Sequence, residues 1–257
     1  MVQLVAIIRE EDPSPARAQA LAAALSCAVV EARQRLVATP SIVARVPSGD
    51  DAAAMVDQLR AAGFAALTFD PETSPFVTRQ LQVRSFELQA DRLCASPRSG
   101  ERVEVPFDDI RLILRGTQTA TEVEEKTVTS KKFNPALAVA TGGLVMRTSK
   151  SAQVKNTSDS MVGFIHVYAT SGPPLVFSEF NLDFRGLGDA LETSRILNMR
   201  VLLASLREAA PGASFDERLM RRTGQAQLLG PGLPPEANLA VASGLLALAA
   251  WSREPAP

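Results

Sequence analysis

The residues in this chain that could do chemistry are few and scattered. Its one histidine, His166, sits in Phe164-Ile165-His166-Val167-Tyr168, with aromatic residues at the alternate positions. A general base needs a hydroxyl, thiol or carboxylate partner within hydrogen-bond reach, and a mid-strand histidine between two rings is expected to pack rather than react. A single histidine also excludes multi-histidine metal centres. The two cysteines, Cys27 and Cys94, are expected to be buried free thiols in a reducing compartment. Asp108 and Asp109 are neighbours, and adjacent strand residues point to opposite faces, so they read as turn-forming carboxylates that bond nearby backbone. Gly186-Leu187-Gly188 lacks the third glycine and the βαβ setting of a phosphate loop, which leaves a tight strand-to-helix connection. No G-x-S-x-G, Walker lysine or G-x-G-x-x-G is present. The expectation is a protein with no catalytic residue, no metal and no cofactor.

Charge is the sharper signal. Between Lys126 and Lys155 lie Lys126, Lys131, Lys132, Arg147, Lys150 and Lys155 and no acid, in a chain of net charge −1. Inside that segment, residues 135–146 are small and apolar around Gly142-Gly143. Two readings compete. In one, the six basic residues form an anion- or lipid-binding patch at the base of an apolar loop that dips into a membrane surface. In the other, the segment is a β-hairpin with a Gly-Gly turn, its apolar residues joining a sheet and its lysines solvated. Nucleic acid is not expected, because only Phe133 interleaves with the basic residues and the pI is near 6.0.

The elements that must position these residues fall into groups. Residues 1–70 read as a strand (Val2–Ile8), a helix to Ser26, strands at Ala28–Arg33 and Ile42–Val46, a helix from Asp50 to Ala62 capped by Ser48, and a strand at Phe64–Phe69. That order, βαββαβ, is ferredoxin-like. The stretch from Pro40 to Asp70 also resembles the second half of the ribosomal stalk protein's C-terminal domain. Two prolines in Asp70–Pro75 mark residues 71–78 as a linker. After it, Leu81, Val83, Phe86 and Leu88 alternate as a strand, a turn lies at Pro97–Gly100, and strands follow at Arg102–Pro106, Ile110–Arg115, Val162–Ala169 and Leu175–Phe184. A helix opened by Asp189 and Glu192 carries Ile196, Met199, Leu203, Leu206 and Ala210 at helical spacing.

Residues 80–210 resemble a bacterial pleckstrin-homology-like domain, on the strand pair Phe86–Leu93, the segment Val105-Pro106-Phe107-Asp108-Asp109-Ile110 and the amphipathic helix. The resemblance implies seven strands in a bent barrel with one end plugged by that helix. Residues 134–158 and those after 212 depart from the pattern. In the remainder, 214–230 reads as a short charged helix and a loop. A last helix opened by Pro234-Pro235-Glu236 has no charge from Ala237 to Trp251 and must be covered.

The fold expected is α+β: a ferredoxin-like domain (1–70), a linker (71–78), a pleckstrin-homology-like antiparallel barrel with its capping helix (79–212) and a helical extension (213–257). The apolar run before Trp251 is shorter than the ~20 residues of a bilayer span. The opening residues have no basic stretch of a signal peptide. A soluble, cytoplasmic protein is expected, and the Ala-, Leu- and Arg-rich composition resembles that of GC-rich bacteria. The function expected is non-enzymatic interaction or scaffolding, with another protein or a second copy meeting the C-terminal helix or a barrel face. Three alternatives stand beside it: an anionic surface or ligand bound by the basic segment, an unfamiliar enzyme site near His166, and a small metabolite held by the N-terminal domain.

Overall fold

The computed structural model describes residues 2–9, 14–98, 100–133, 147–230 and 232–252, the side chains of 120–133 and 147–159 excepted. It is a mixed α+β fold with a three-stranded sheet and a curled seven-stranded one. Residues 1–118 and 162–257 form one compact unit, and 119–161 form another.

In the three-stranded sheet, β1 (Gln3–Ile7) pairs antiparallel with β2 (Ser41–Val46) on one side and β3 (Ala66–Phe69) on the other. Strand alternation divides its apolar residues between two cores: Val5 and Ile7 face the helices, and Leu4 and Ala6 face the opposite way. Helix α1 (Pro15–Leu25) starts at Ser14, whose Oγ accepts from Arg17 N. Helix α3 (Gly49–Ala61) starts at Ser48, with Asp50 and Asp51 at its positive end.

Between α1 and β2 the structure corrects the sequence reading. Residues expected as a strand at Ala28–Arg33 belong to helix α2 (Val29–Leu36). Ala32 and Leu36, one turn apart, are buried, while Val30 is 71 % exposed. Helical burial at that spacing outweighs the β-preference of Val29-Val30. The order is therefore βααβαβ with three strands, rather than βαββαβ.

The seven-stranded sheet contains β4 (Leu81–Leu88), β5 (Arg92–Pro97), β6 (Val103–Pro106), β7 (Ile110–Phe133), β8 (Arg147–Ala169), β9 (Leu175–Ser178) and β10 (Ser214–Leu219). Their order is β10-β7-β8-β9-β4-β5-β6. Two pairings, β4 with β9 and β10 with β7, are parallel, so the expected antiparallel sheet is in fact mixed. Strand β10 occupies residues read as helical. Its Ser214, Phe215 and Asp216 lie in register with Leu112, Ile113 and Leu114 of β7, a long-range pairing that local charge does not reveal. Strand β9 stops before its expected end because the Asn181 and Leu182 N–H groups both turn back to Ser178 O.

Helix α5 (Arg195–Ala209) covers one face of this sheet. It is capped by Ser194, not by Asp189, and it buries Met199, Leu202, Leu203 and Leu206 against Phe86, Ile113, Ile165 and Phe177. Leu112, Leu114, Phe164 and Tyr168 take the alternate positions and face the other way. There they meet α4 (Pro75–Thr78), α6 (Arg222–Leu229) and the last helix, α7 (Pro235–Trp251). A Cβ on Gly244 would fall 2.7 Å from Val77 Cγ2, so α7 approaches α4 closely only because that residue is glycine. The apolar helix that needed covering is thus covered largely by its own chain. Among the described residues no helix is long and apolar enough to cross a membrane.

Candidate anion-binding cleft

Of the residues that looked chemical in sequence, His166 lies in the core at 5 % exposure. Its ring centroid is 4.7 Å from that of Phe164, and its Nδ1 is 3.4 Å from Tyr168 Oη. Burial pushes the imidazole down to about 3, so it is neutral at pH 7. Burial also raises the Tyr168 hydroxyl, against the hydrogen bonding of Ser243 and Gln80, and keeps it protonated. Gln80 Nε2 donates to Phe76 O at 2.8 Å, and Ser243 Oγ donates to Ala240 O at 3.0 Å. A hydroxyl partner for His166 exists, but the pair is walled in by α7 and the Phe164, Phe76 and Trp251 rings.

The other candidates are placed as follows. Asp108 and Asp109 end a 3-10 turn, and it is the Asp109 carbonyl, not its carboxylate, that bonds Thr170 N, at 2.8 Å. Cys94 is buried and Cys27 half-buried, both free. Lys126, Lys131 and Lys132 lie on β7, and Arg147, Lys150 and Lys155 on β8, which are neighbouring strands. The side chains of these six lie outside the described residues, as do residues 134–146 between them.

The structure brings together a different set of charges, beginning with a slip in β4. Val83 pairs with Pro97 but Ser85 pairs with Ser96, so one extra residue, Arg84, is bulged out of the ladder. A bulge re-aims its side chain. It also explains why buried positions on β4 shift phase from Val83 to Phe86. The Arg84 carbonyl accepts from Asp183 N at 2.7 Å, which moors the segment after β9 alongside β4. Gly186 completes the mooring, because a Cβ there would stand 1.9 Å from Phe86 O. Gly186-Leu187-Gly188 is therefore a close-packed connection into α5.

Around this junction lies a cleft of about 530 Å³ lined by Arg84, Arg98, Arg195, Asn181, Phe180 and one carboxylate, Asp183. Arg98 is held beside β4 by its N–H, which donates to Gln82 O at 3.0 Å. Arg195 gathers the loop before Asp183, its Nε donating to Glu179 O at 2.6 Å and its Nη2 to Leu182 O at 2.8 Å. Its guanidinium also lies 5.2 Å from the Phe184 ring. Asp183 belongs to Arg185, which grips both of its oxygens at 2.5–3.1 Å and holds the carboxyl below its usual range. Asp183 also lines a second cavity of about 310 Å³, where Arg102 pairs with Glu87 at 2.7 Å.

Arg84, Arg98 and Arg195 make no ion pair among the described residues. Beside them Phe180 is 55 % exposed, and Ile196 and Leu197 are also exposed. Three guanidinium groups around a single carboxylate that Arg185 already grips, next to an exposed ring, suit an anion carried on a partly apolar molecule. Two other concavities differ. In one of about 240 Å³ beside Trp251, Arg218 is bound to Asp216 and Thr39 O. In a groove of about 600 Å³ between α2 and α6, Arg35 is bound to Glu31 and Val43 O.

Sequence reading missed this cleft because its arginines come from β4, the turn after β5 and the start of α5. No motif joins them. The one local signal was the break in β4, where alternation runs through Leu81 and Val83 and resumes at Phe86 and Leu88. Comparison of the chain with family models, curated proteins and solved structures finds no match.

Proposed function

We propose that this protein is a non-enzymatic interaction protein that binds an acidic segment of a partner protein in the Arg84–Arg98–Arg195 cleft. The observation that carries the reading is the excess of positive charge beside exposed Phe180: three arginines line the cleft with one carboxylate, Asp183, which Arg185 already grips. Guanidinium forks bond carboxylates in pairs, and the neighbouring apolar surface would take a side chain of the same peptide. A curled sheet closed on one face by α5 supports the pleckstrin-homology-like reading of this half of the chain. The sealed environment of His166 supports a binding role over a catalytic one.

Fluorescence anisotropy with a labelled oligoglutamate peptide tests the proposal. Binding is expected to weaken as NaCl rises from about 0.05 to about 0.5 M. Arg84→Ala with Arg98→Ala is expected to lower affinity about tenfold while the fold is kept. Affinity that ignores both arginines overturns the reading. Phosphatidylserine vesicles form the second arm: salt-sensitive binding lost in Lys131→Ala/Lys132→Ala, but kept in the arginine variant, would transfer the function to the basic segment on β7 and β8.

A further inference from the structure

We propose that β7 pairs edge to edge with β7 of a second copy of this chain, antiparallel and centred on Val128. The inference is independent of the arginine cleft. Residues 119–133 and 147–161 are the outer parts of two neighbouring strands. The strands that flank them are too short to follow: β10 ends at Leu219, opposite Gly116, and β9 ends at Ser178, opposite Phe164. Among the described residues, then, no strand covers the outer edge of β7 beyond Gly116 or of β8 before Phe164. An open edge is a row of backbone donors and acceptors ready for another strand, and a lone two-stranded ribbon is marginal in water. The ribbon's composition deepens the problem, since Val123, Val128 and Phe133 are the only large apolar residues between 119 and 133.

Charge selects the occupant. Read outward from Val128, the sequence mirrors itself: Glu125 and Glu124 on one side, Lys131 and Lys132 on the other, then Val123 and Phe133. In an antiparallel pair centred on Val128, Glu125 opposes Lys131 of the second copy, Glu124 opposes Lys132, and Val123 opposes Phe133. Each pairing occurs twice by symmetry, and Val128 opposes itself. Strand β8 offers a poorer match: Asp159 is its only acid, so no register there opposes more than one of its basic residues to a carboxylate of the second copy. The β7 pair is isologous, so it closes as a two-fold dimer instead of growing into a filament. Two lysines of the acid-free segment thereby gain carboxylate partners on the second chain.

Light scattering on the full chain is expected to give twice the 27.4 kDa monomer mass. Glu124→Lys/Glu125→Lys and Lys131→Glu/Lys132→Glu each place like charges across the pair and are expected to be monomers. Mixed in equal amounts, the two variants are expected to dimerise with each other, because a basic strand then meets an acidic one. Val128→Cys is expected to give an intermolecular disulfide under oxidation that leaves the wild type unlinked, since opposed strand residues lie within disulfide reach. Val123→Cys is expected to link only when mixed with Phe133→Cys. A wild-type chain that is monomeric at about 100 µM overturns the proposal. So does a dimer that both charge reversals leave intact, or a mixture of the variants that does not re-associate.

Discussion

Between β8 and α7, the side chains of His166, Tyr168, Gln80 and Ser243 bond one another and nearby carbonyls, behind three aromatic rings. At the β4 bulge, Arg84 and Arg98 make no ion pair among the described residues, and the one carboxylate of their cleft, Asp183, is gripped by Arg185. The first cluster holds the residue types that serve as bases and nucleophiles, yet its bonding capacity is consumed by the fold. The second holds no base or nucleophile beyond the occupied Asp183, yet the charge of Arg84 and Arg98 is left over. Recognition is better sought where polar capacity is in surplus than where reactive side chains happen to stand.

The contrast breaks first, and most, at Tyr168. Tyr168→Ala removes a ring at 1 % exposure and is expected to cost about 3–5 kcal/mol of stability in urea unfolding. Arg84→Ala, on the surface, is expected to change stability by less than about 0.5 kcal/mol. A tolerant Tyr168 beside a stability-critical Arg84 would invert the roles assigned to the two regions.

The next effect is on pH dependence. An unfolded histidine takes up a proton near pH 6.5, whereas buried His166 resists until about pH 3. Over that window the unfolded chain binds more protons, so His166 makes stability fall as pH falls, by about 2 kcal/mol from pH 7 to 5. Above pH 6.5 both states are neutral and the effect vanishes. Urea midpoints at the two pH values should therefore converge in His166→Phe. An undiminished pH dependence in that variant would show that His166 is not the group responsible.

The smallest expected effect sharpens the open side of the comparison. Asp183→Asn releases Arg185 from its carboxylate and is expected to tighten oligoglutamate binding about two- to threefold, a gain suited to an exposed ion pair. Titration by anisotropy measures it. Weaker binding would mean that the grip on Arg185 matters more for shaping the cleft than for neutralising it.

Much of the fold could be read from local pattern. Ser14 and Ser48 mark α1 and α3, Pro235 opens α7, and the strand pair read at Phe86–Leu93 is the turn of the hairpin formed by Leu81–Leu88 and Arg92–Pro97. The errors fell where a distant partner decides. Val29-Val30 reads as strand until Ala32 and Leu36 find a core, and Ser214–Leu219 reads as helix until β7 offers it an edge. The cleft was hidden for the same reason. Arg84 and Arg195 become neighbours of one cavity only because the chain after β9 docks on the β4 bulge. No spacing rule links residues that a parallel pairing brings together.

The last helix has a consequence for how this protein is made. Ala242, Leu245 and Leu246 of α7 are packed with Leu4 and Phe69 from the first sheet and with Leu114 and Tyr168 from the second. These residues follow both sheets in the chain, so until α7 is translated both sheets present a greasy surface that has nothing to rest against. Until α7 docks, the nascent protein is a client for whatever holds sticky polypeptides apart.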